Sequence, residues 1–230
     1  MLRPAAATRA PSLAGTVIGI DPGHNGANWS APTFINSRVW NGRAAEACDT
    51  TGTATTTGYT EALFTFRVAQ YLAAQLRARG ARVVLTRATN SGVGPCIDRR
   101  AQILNRARCA VAIDIHADSG PVAGRGFALL APVRTPQNSA VLAQSLRFGS
   151  LLRDAMRAGT TMPVSSYDGV RGIAYRDDLA GLNLTSVPKV LIEVGNMRNR
   201  TDAAMLTADA FQRRLATVFA AAIASFAGHS

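Results

Sequence analysis

The chain has 230 residues, 47% of them hydrophobic and 17% charged, a composition that suits one globular domain and excludes a wholly disordered chain. Its formal net charge is +11, and its basic residues are all arginine except Lys189. The arginines are scattered singly or in pairs without an aromatic stripe, which argues against nucleic acid as a partner, and no apolar run is long enough to span a membrane.

The predicted elements alternate between strands and helices. A first strand over 16–20 is followed by a Gly/Thr/Asn-rich segment, 25–60, whose length indicates a functional or mobile loop. A helix is predicted over 61–79, where apolar residues recur at helical spacing between Thr60 and Gly80, which supply cap chemistry. The later elements are strand 82–86, helix 97–108, strands 109–115 and 126–131, helix 136–158, a short strand near residue 173, strand 189–194 and helix 201–226.

This alternation predicts an α/β fold, with a twisted, mainly parallel sheet of about six strands and helices on both faces. We expect residues 1–14 to form a flexible leader and residues 15–228 a single domain, with segment 25–60 inserted after the first strand. Ligands of such sheets bind beyond the carboxyl ends of the strands, so polar residues at those ends are the candidate site residues.

The three cysteines indicate a disulfide rather than a zinc cluster built on thiolates, since their number is odd and no CxxC motif occurs. Cys109 begins an apolar strand and is interpreted as a small buried hydrophobic residue. Cys48 and Cys96 lie in loops, where a bridge would tie the long segment to the body of the domain. That bridge would imply an oxidising, extracytoplasmic setting, and the alternative is two unpaired loop thiols.

Four residues lie near the same predicted edge of the sheet. His24 and His116 each follow a run of strand-forming residues, Glu61 opens the first helix, and Glu193 ends the last strand. Two histidines and one carboxylate are a common zinc triad that leaves a position for water, whose pKa zinc lowers to about 7. The second carboxylate then suits a proton carrier between that water and a leaving amine. Asp114 shares a strand face with His116 and is a candidate for a supporting contact.

Each residue alone has a simpler interpretation. A histidine at a strand end is often a surface residue, and Glu61 alone would be a negative charge at a helix N-terminus, which the helix dipole favours. Glu193 is harder to explain in this way, because a charge buried at the end of an apolar strand needs a partner. The residues by themselves therefore argue only for metal-assisted amide hydrolysis.

Four separated blocks carry a resemblance to a known family. They are IGIDPGH at 18–24, GYTE at 58–61, IDIHAD at 113–118 and PKVLIEVGN at 188–196. Together they resemble the zinc-dependent N-acetylmuramoyl-L-alanine amidases of the amidase-3 type, which trim bacterial peptidoglycan, and the similarity extends over nearly the whole chain. One departure is Asn25, which stands where the family usually has glycine.

The resemblance implies one zinc ion held by His24, Glu61 and His116, with Glu193 as the catalytic glutamate. It also implies a peptidoglycan or muropeptide substrate, which fits the positive net charge, and a bacterial, extracytoplasmic location; we expect a monomer. Two alternatives stay open. One is a zinc carboxypeptidase acting within the stem peptide, and the other is a non-catalytic module that binds the cell wall.

Overall fold

The computed structural model describes residues 12–228, so most of the predicted leader, residues 1–11, lies outside the described residues. The strands are β1 (Val17–Pro22), β2 (Arg38–Trp40), β3 (Ala45–Ala47), β4 (Arg82–Leu85), β5 (Val111–Asp118), β6 (Ala128–Pro132), β7 (Ile173–Arg176) and β8 (Lys189–Asn196). The helices are α1 (Pro32–Ile35), α2 (Glu61–Ala78), α3 (Ile97–Arg106), α4 (Leu142–Gly159), α5 (Ala180–Asn183), α6 (Arg200–Thr207) and α7 (Asp209–Ala227).

Six strands form the main sheet in the order β4-β1-β5-β8-β6-β7. Four of the five neighbouring strand pairs of this sheet are parallel, and only β6 against β8 is antiparallel. The predicted α/β fold with about six, mainly parallel strands is therefore confirmed. Because β1, β5 and β8 are adjacent and parallel, their carboxyl ends meet at one edge of the sheet.

The core is divided unequally between the two faces of this sheet. Helices α2, α4 and α7 cover one face, where Ile18 and Ile20 belong to the larger hydrophobic cluster. Helices α3 and α5 cover the other face, where Leu104 belongs to a much smaller cluster. Since successive side chains of a strand point to opposite faces, Gly19 and Asp21 face α3. Polar side chains on this thinly packed face can reach one another.

The predicted helix over 201–226 is two helices, because the chain becomes extended at Ala208, where ψ is 121°. Asn199 caps the first of them, α6, by accepting hydrogen bonds from the backbone of its first turn. The buried side chain of Gln212 donates to the Leu206 carbonyl near the end of α6 at 2.8 Å. Side-chain hydrogen bonds therefore stabilise the break that an uninterrupted apolar pattern does not reveal.

The predicted helix over 136–158 begins later, at Leu142. The buried Asn138 side chain accepts from the Thr135 amide at 2.8 Å and donates to the Val133 carbonyl at 2.9 Å. Such local side-chain bonds offer the backbone an alternative to the helix, so the preceding residues form turns. Within residues 12–228, no helix is both long and apolar enough to cross a membrane.

Segment 25–60 contains helix α1 and a hairpin of β2 and β3, and a disulfide joins it to the rest of the domain. The structure contains the Cys48–Cys96 bridge, which closes a sequence separation of 48 residues, while Cys109 is buried and free. The Cys48 carbonyl also accepts from the Ile97 amide at 2.8 Å, at the start of α3. The segment is therefore held against α3 at the point where it passes the sheet edge.

Replacing both Cys48 and Cys96 with alanine is expected to lower the free energy of unfolding by about 4 kcal/mol, because the unfolded chain regains the entropy of an open loop of this length. Urea unfolding of the wild type and the double variant, each under non-oxidising and oxidising conditions, measures the change in the free energy of unfolding. Cys109→Ala is the matched control, since it removes a thiol without opening a loop. A double variant no less stable than Cys109→Ala would contradict the prediction.

Candidate functional site: a His-Glu-His cluster at the sheet edge

His24 follows β1 in a turn with a left-handed backbone, where φ is 56°. Its carbonyl accepts a hydrogen bond from Arg100 Nη2 at 2.8 Å, which holds this unfavourable conformation in place. The preceding Gly23 needs to lack a side chain, since a Cβ there would lie 2.2 Å from the ring of His116. The turn thereby lets the two imidazoles approach to a centroid separation of 5.0 Å.

Glu61 is the first residue of α2, directly after Thr60, whose hydroxyl caps the helix by accepting from the Leu63 amide. Its buried carboxylate accepts from the Thr53 amide at 3.0 Å and from the Ala117 amide at 3.2 Å. These bonds join the long segment, α2 and β5 at one carboxylate. Glu61 therefore has a fixed orientation before any ligand binds.

The structure brings His24, Glu61 and His116 together, with one donor atom of each within 4.8 Å of the others. His24 Nε2 lies 3.2 Å from one Glu61 oxygen, and His116 Nδ1 lies 2.8 Å from the other. Gly52 closes over this cluster, since a Cβ there would lie 2.6 Å from His24 and 2.8 Å from Glu61. In the part of the chain that is described, these residues form the one group with the spacing of a metal site.

The electrostatics of this His-Glu-His cluster favour a cation. Burial by itself would lower the pKa of His24, but the carboxylates of Glu61 and Asp49 outweigh it and raise that pKa to about 9. Burial of His116 is likewise outweighed by Asp114 and Glu61, which raise its pKa well above the usual value. The two histidines in turn hold the pKa of Glu61 well below its usual range against the effect of burial. Two imidazoles and a carboxylate that attract positive charge are the donor set that zinc prefers.

A carboxylate contacts the second nitrogen of each histidine. Asp49 Oδ1 lies 3.2 Å from His24 Nδ1, and Asp114 Oδ1 lies 3.3 Å from His116 Nε2. Such contacts fix the tautomer and leave His24 Nε2 and His116 Nδ1 to face Glu61. Asp114 thus has the contact that its position on the strand suggested. Asp49 was not among the residues predicted from the sequence, where its only local signal is its position next to Cys48.

A buried charge network supports both carboxylates. Lys189 Nζ lies 2.6 Å from Asp21 Oδ2 and 3.0 Å from Asp114 Oδ2. On the other side, Arg100 lies 3.1 Å from Asp21 Oδ1 and 3.2 Å from Asp49 Oδ2. Burial alone would raise the pKa of Asp21, but Lys189 and Arg100 hold it well below its usual range. Asp21 therefore links the two carboxylates that orient the histidines, Asp114 through Lys189 and Asp49 through Arg100.

Lys189→Met is expected to lower the free energy of unfolding by about 3–5 kcal/mol, because it leaves Asp21 and Asp114 without their fully buried cation. Arg213→Met is the control, since Arg213 and its partner Asp209 are 61% and 46% exposed, and solvent screens the attraction between them. Urea unfolding of both variants measures the difference. Equal losses in the two variants would contradict the prediction.

Asp21 also gives the unfolding free energy a pH dependence. Its pKa in the folded chain lies below its value of about 3.9 in an unfolded chain, so its stabilising effect is fully present above that pH. As the pH falls below about 4, the unfolded chain binds the proton first, and the stabilisation is lost progressively. Unfolding measured between pH 6 and pH 3 is expected to show this loss, and Asp21→Asn should reduce it.

Glu193 lies on β8 directly opposite His116 of β5 in the strand register. It lines the same cleft as the cluster, with a cavity of about 330 Å³. Its Oε2 atom is buried and has no hydrogen-bond partner among the described residues. Burial raises the pKa of Glu193 to about 8, His116 opposes this, and the negative charges of Glu61 and Asp118 add to it. A partly buried carboxyl group with this pKa, one oxygen of which is buried and unpartnered, suits proton transfer near neutral pH.

Comparisons with known proteins agree with this geometry. The family model described as N-acetylmuramoyl-L-alanine amidase matches residues 18–225. An N-acetylmuramoyl-L-alanine amidase of Mycobacterium tuberculosis is 38% identical over 218 residues, which cover 94% of this chain and 88% of that protein. The crystal structure of the amidase Ami1 from Mycobacterium smegmatis superposes with a TM-score of 0.90 at 37% identity, covering 95% of this chain and 100% of the other. Ami1 from Mycobacterium abscessus gives 0.87 at 40% identity, covering 93% and 99%. The chain belongs to the N-acetylmuramoyl-L-alanine amidase family of enzymes.

Proposed function

We propose that this chain is a zinc-dependent enzyme that hydrolyses the amide bond between the lactyl group of N-acetylmuramic acid and the L-alanine of a peptidoglycan stem peptide. The observation that carries the proposal is the unpartnered Glu193 carboxyl group, which lines one cleft with the cluster of His24, Glu61 and His116. A site that only bound the cell wall would have no use for a buried proton carrier.

His24, Glu61 and His116 would hold the metal through His24 Nε2, His116 Nδ1 and the Glu61 carboxylate. Zinc at this position supplies Lewis-acid polarisation of a carbonyl group and a water molecule that is acidic near neutral pH. Asp49 and Asp114 keep the imidazoles in the tautomers that present these nitrogens. We expect each of these carboxylates to strengthen metal binding through its histidine.

Glu193 would act twice in one turnover. If zinc were held by the cluster, its positive charge would lower the pKa of the Glu193 carboxyl group, which could then accept a proton from the attacking water. It would then donate that proton to the nitrogen of L-alanine as the amide C–N bond breaks. The second proton of the water would remain on the lactyl carboxyl group and pass from there to solvent, so the products are a neutral amine, a lactyl carboxylate and one released proton. The same oxygen atoms serve both steps, since the carboxyl group has no competing hydrogen-bond partner in the described residues.

The setting of the enzyme follows from its substrate and its disulfide. We propose that residues 15–228 form the catalytic domain and that it acts as a monomer outside the bacterial cytoplasm, in cell-wall remodelling or in recycling of wall fragments. The Cys48–Cys96 bridge supports an oxidising compartment. The net charge of +11 supports attraction to an anionic wall polymer, with rates that fall as salt increases.

Mass spectrometry of a purified disaccharide muropeptide tests the proposal. Incubation with the enzyme is expected to release the intact peptide with L-alanine at its amino terminus, together with the peptide-free disaccharide. A chelator should stop the release, and added zinc should restore it. Loss of a carboxy-terminal residue from a peptide that stays attached to the sugar would indicate a carboxypeptidase, whereas binding without any cleavage would indicate a wall-binding module.

A further inference from the structure

Trp29 presents an exposed aromatic side chain beside the metal-site cluster. It lies in a 3-10 turn, Asn28–Ser30, shortly after His24, and its side chain is 74% exposed. The only other tryptophan of the chain, Trp40, is 55% exposed and lies on the β2–β3 hairpin. A single exposed aromatic residue is common on protein surfaces, so the surroundings of Trp29 decide whether it has a function.

A groove of about 240 Å³ is lined by Trp29 and adjoins the cleft of the His-Glu-His cluster, with which it shares Gly52 and Thr53. Its lining includes Trp29, Asn25, Thr51, Gly52, Thr53 and Thr60, and no charged side chain. Gly52 forms the end of the groove that touches the cluster, where a Cβ would collide with both His24 and Glu61. The groove therefore leads from Gly52 and Thr53, beside the cluster, along hydroxyl-bearing side chains to an aromatic ring.

The turn that carries Trp29 is held rigidly. Asn28 is fully buried, donates to the Thr50 carbonyl at 2.7 Å and accepts from the Gly94 amide at 2.8 Å. Asn25, also buried, donates to the Gly94 carbonyl at 2.8 Å. Two buried amide side chains thus fix the backbone of the segment that leads into the Trp29 turn. An aromatic side chain on such a preorganised turn loses little conformational entropy when it binds a ligand.

We propose that Trp29 and this groove bind a pyranose ring on the glycan side of the substrate, an inference that rests on the proposed amidase function. The polarised C–H groups on one face of a sugar suit the electron-rich face of an indole, and ring hydroxyls suit a lining of threonine side chains. The stem peptide carries carboxylates, which a groove without a cation would leave unpaired. The glycan therefore lies along the Trp29 groove, and the peptide leaves the metal site in another direction.

Single-tryptophan variants test the binding directly. Trp40→Phe leaves Trp29 as the only tryptophan, and its emission is expected to shift and saturate on titration with the peptide-free disaccharide of N-acetylglucosamine and N-acetylmuramic acid. Trp29→Phe leaves Trp40 as the reporter, and its emission should not change. Calorimetry on the same samples supplies an independent readout. No heat and no change in emission from the Trp40→Phe protein would overturn the inference.

Kinetics separate this inference from the proposed function. Trp29→Ala is expected to raise KM for a disaccharide muropeptide roughly tenfold and to leave KM for a sugar-free lactyl-peptide unchanged. Trp40→Ala is the control and should change neither. If wild type cleaves the muropeptide and Trp29→Ala matches it, the glycan inference fails and the amidase function stands. If wild type binds the disaccharide through Trp29 but cleaves nothing, the sugar site stands and the proposed function fails.

Discussion

Glu193→Gln is expected to lower kcat by about 10²–10⁴-fold without loss of zinc or of the fold. Glutamine keeps the size and the hydrogen-bonding oxygen of the side chain, but it can neither accept a proton from water nor return it to the leaving amine. Because the Glu193 carboxyl group has no partner among the described residues, its replacement breaks no internal hydrogen bond. The loss should therefore appear in kcat with little change in KM or in unfolding free energy.

Glu46→Gln is the matched control for this measurement. Glu46 lies on β3, is also partly buried, has a buried oxygen that is unpartnered among the described residues and has a pKa that burial raises above its usual value. It lines a neighbouring cavity with His24 and His116 and not the cleft that contains Glu193. We expect its kcat to stay within about twofold of wild type, since it takes no part in the proposed proton transfer. Glu193→Gln that keeps more than a tenth of wild-type kcat at full zinc content would remove Glu193 from the mechanism.

His24→Ala is expected to reduce bound zinc from about one ion per chain to nearly none after dialysis, and with it all measurable hydrolysis. Removal of one imidazole leaves only two of the three proposed donors, and the chain offers no other histidine near the cluster among its described residues. Elemental analysis measures the zinc independently of activity. Full zinc content in His24→Ala would show that the ligand set is different.

Asp49→Asn provides a graded version of the same experiment. The asparagine keeps the shape of the side chain, but it removes the negative charge that lies 3.2 Å from His24 Nδ1. We expect zinc affinity to fall about 10–100-fold while the metal can still be loaded at saturating concentration. Activity should then return with added zinc, which does not happen for His24→Ala. An unchanged affinity would mean that Asp49 only pairs with Arg100.

The candidate site could be predicted from the sequence because its residues occupy positions with a simple pattern. His24 follows β1, His116 and Glu193 lie near the carboxyl ends of β5 and β8, and parallel neighbouring strands bring such ends to one edge. Glu61 could be included among the candidate site residues because the predicted first helix begins close in space to the end of the first strand. The same reasoning did not reach Asp49, which is separated from His24 by an irregular segment held in place by the disulfide.

Some boundaries of the helices could be predicted from the sequence, and others could not. Apolar periodicity predicted helix α2 within a residue of its observed end, since nothing interrupts it between Thr60 and the last turn. The break at Ala208 could not be predicted in this way, because the side chain that stabilises it, Gln212, lies inside the predicted pattern and bonds back to the Leu206 carbonyl. That hydrogen bond exists only once α6 and α7 are packed.

The sequence alone thus determined the α/β fold, the order of the main strands and helices, and the four residues at the sheet edge, because burial of apolar runs and alternation of elements are local properties of the chain. The tertiary structure decided which polar groups meet. Lys189 bonds to Asp21 across 168 residues of sequence, and the pair then supports the carboxylates beside both histidines. No local pattern encodes such a contact, since a buried charge is stabilised by whichever opposite charge the packed fold places next to it.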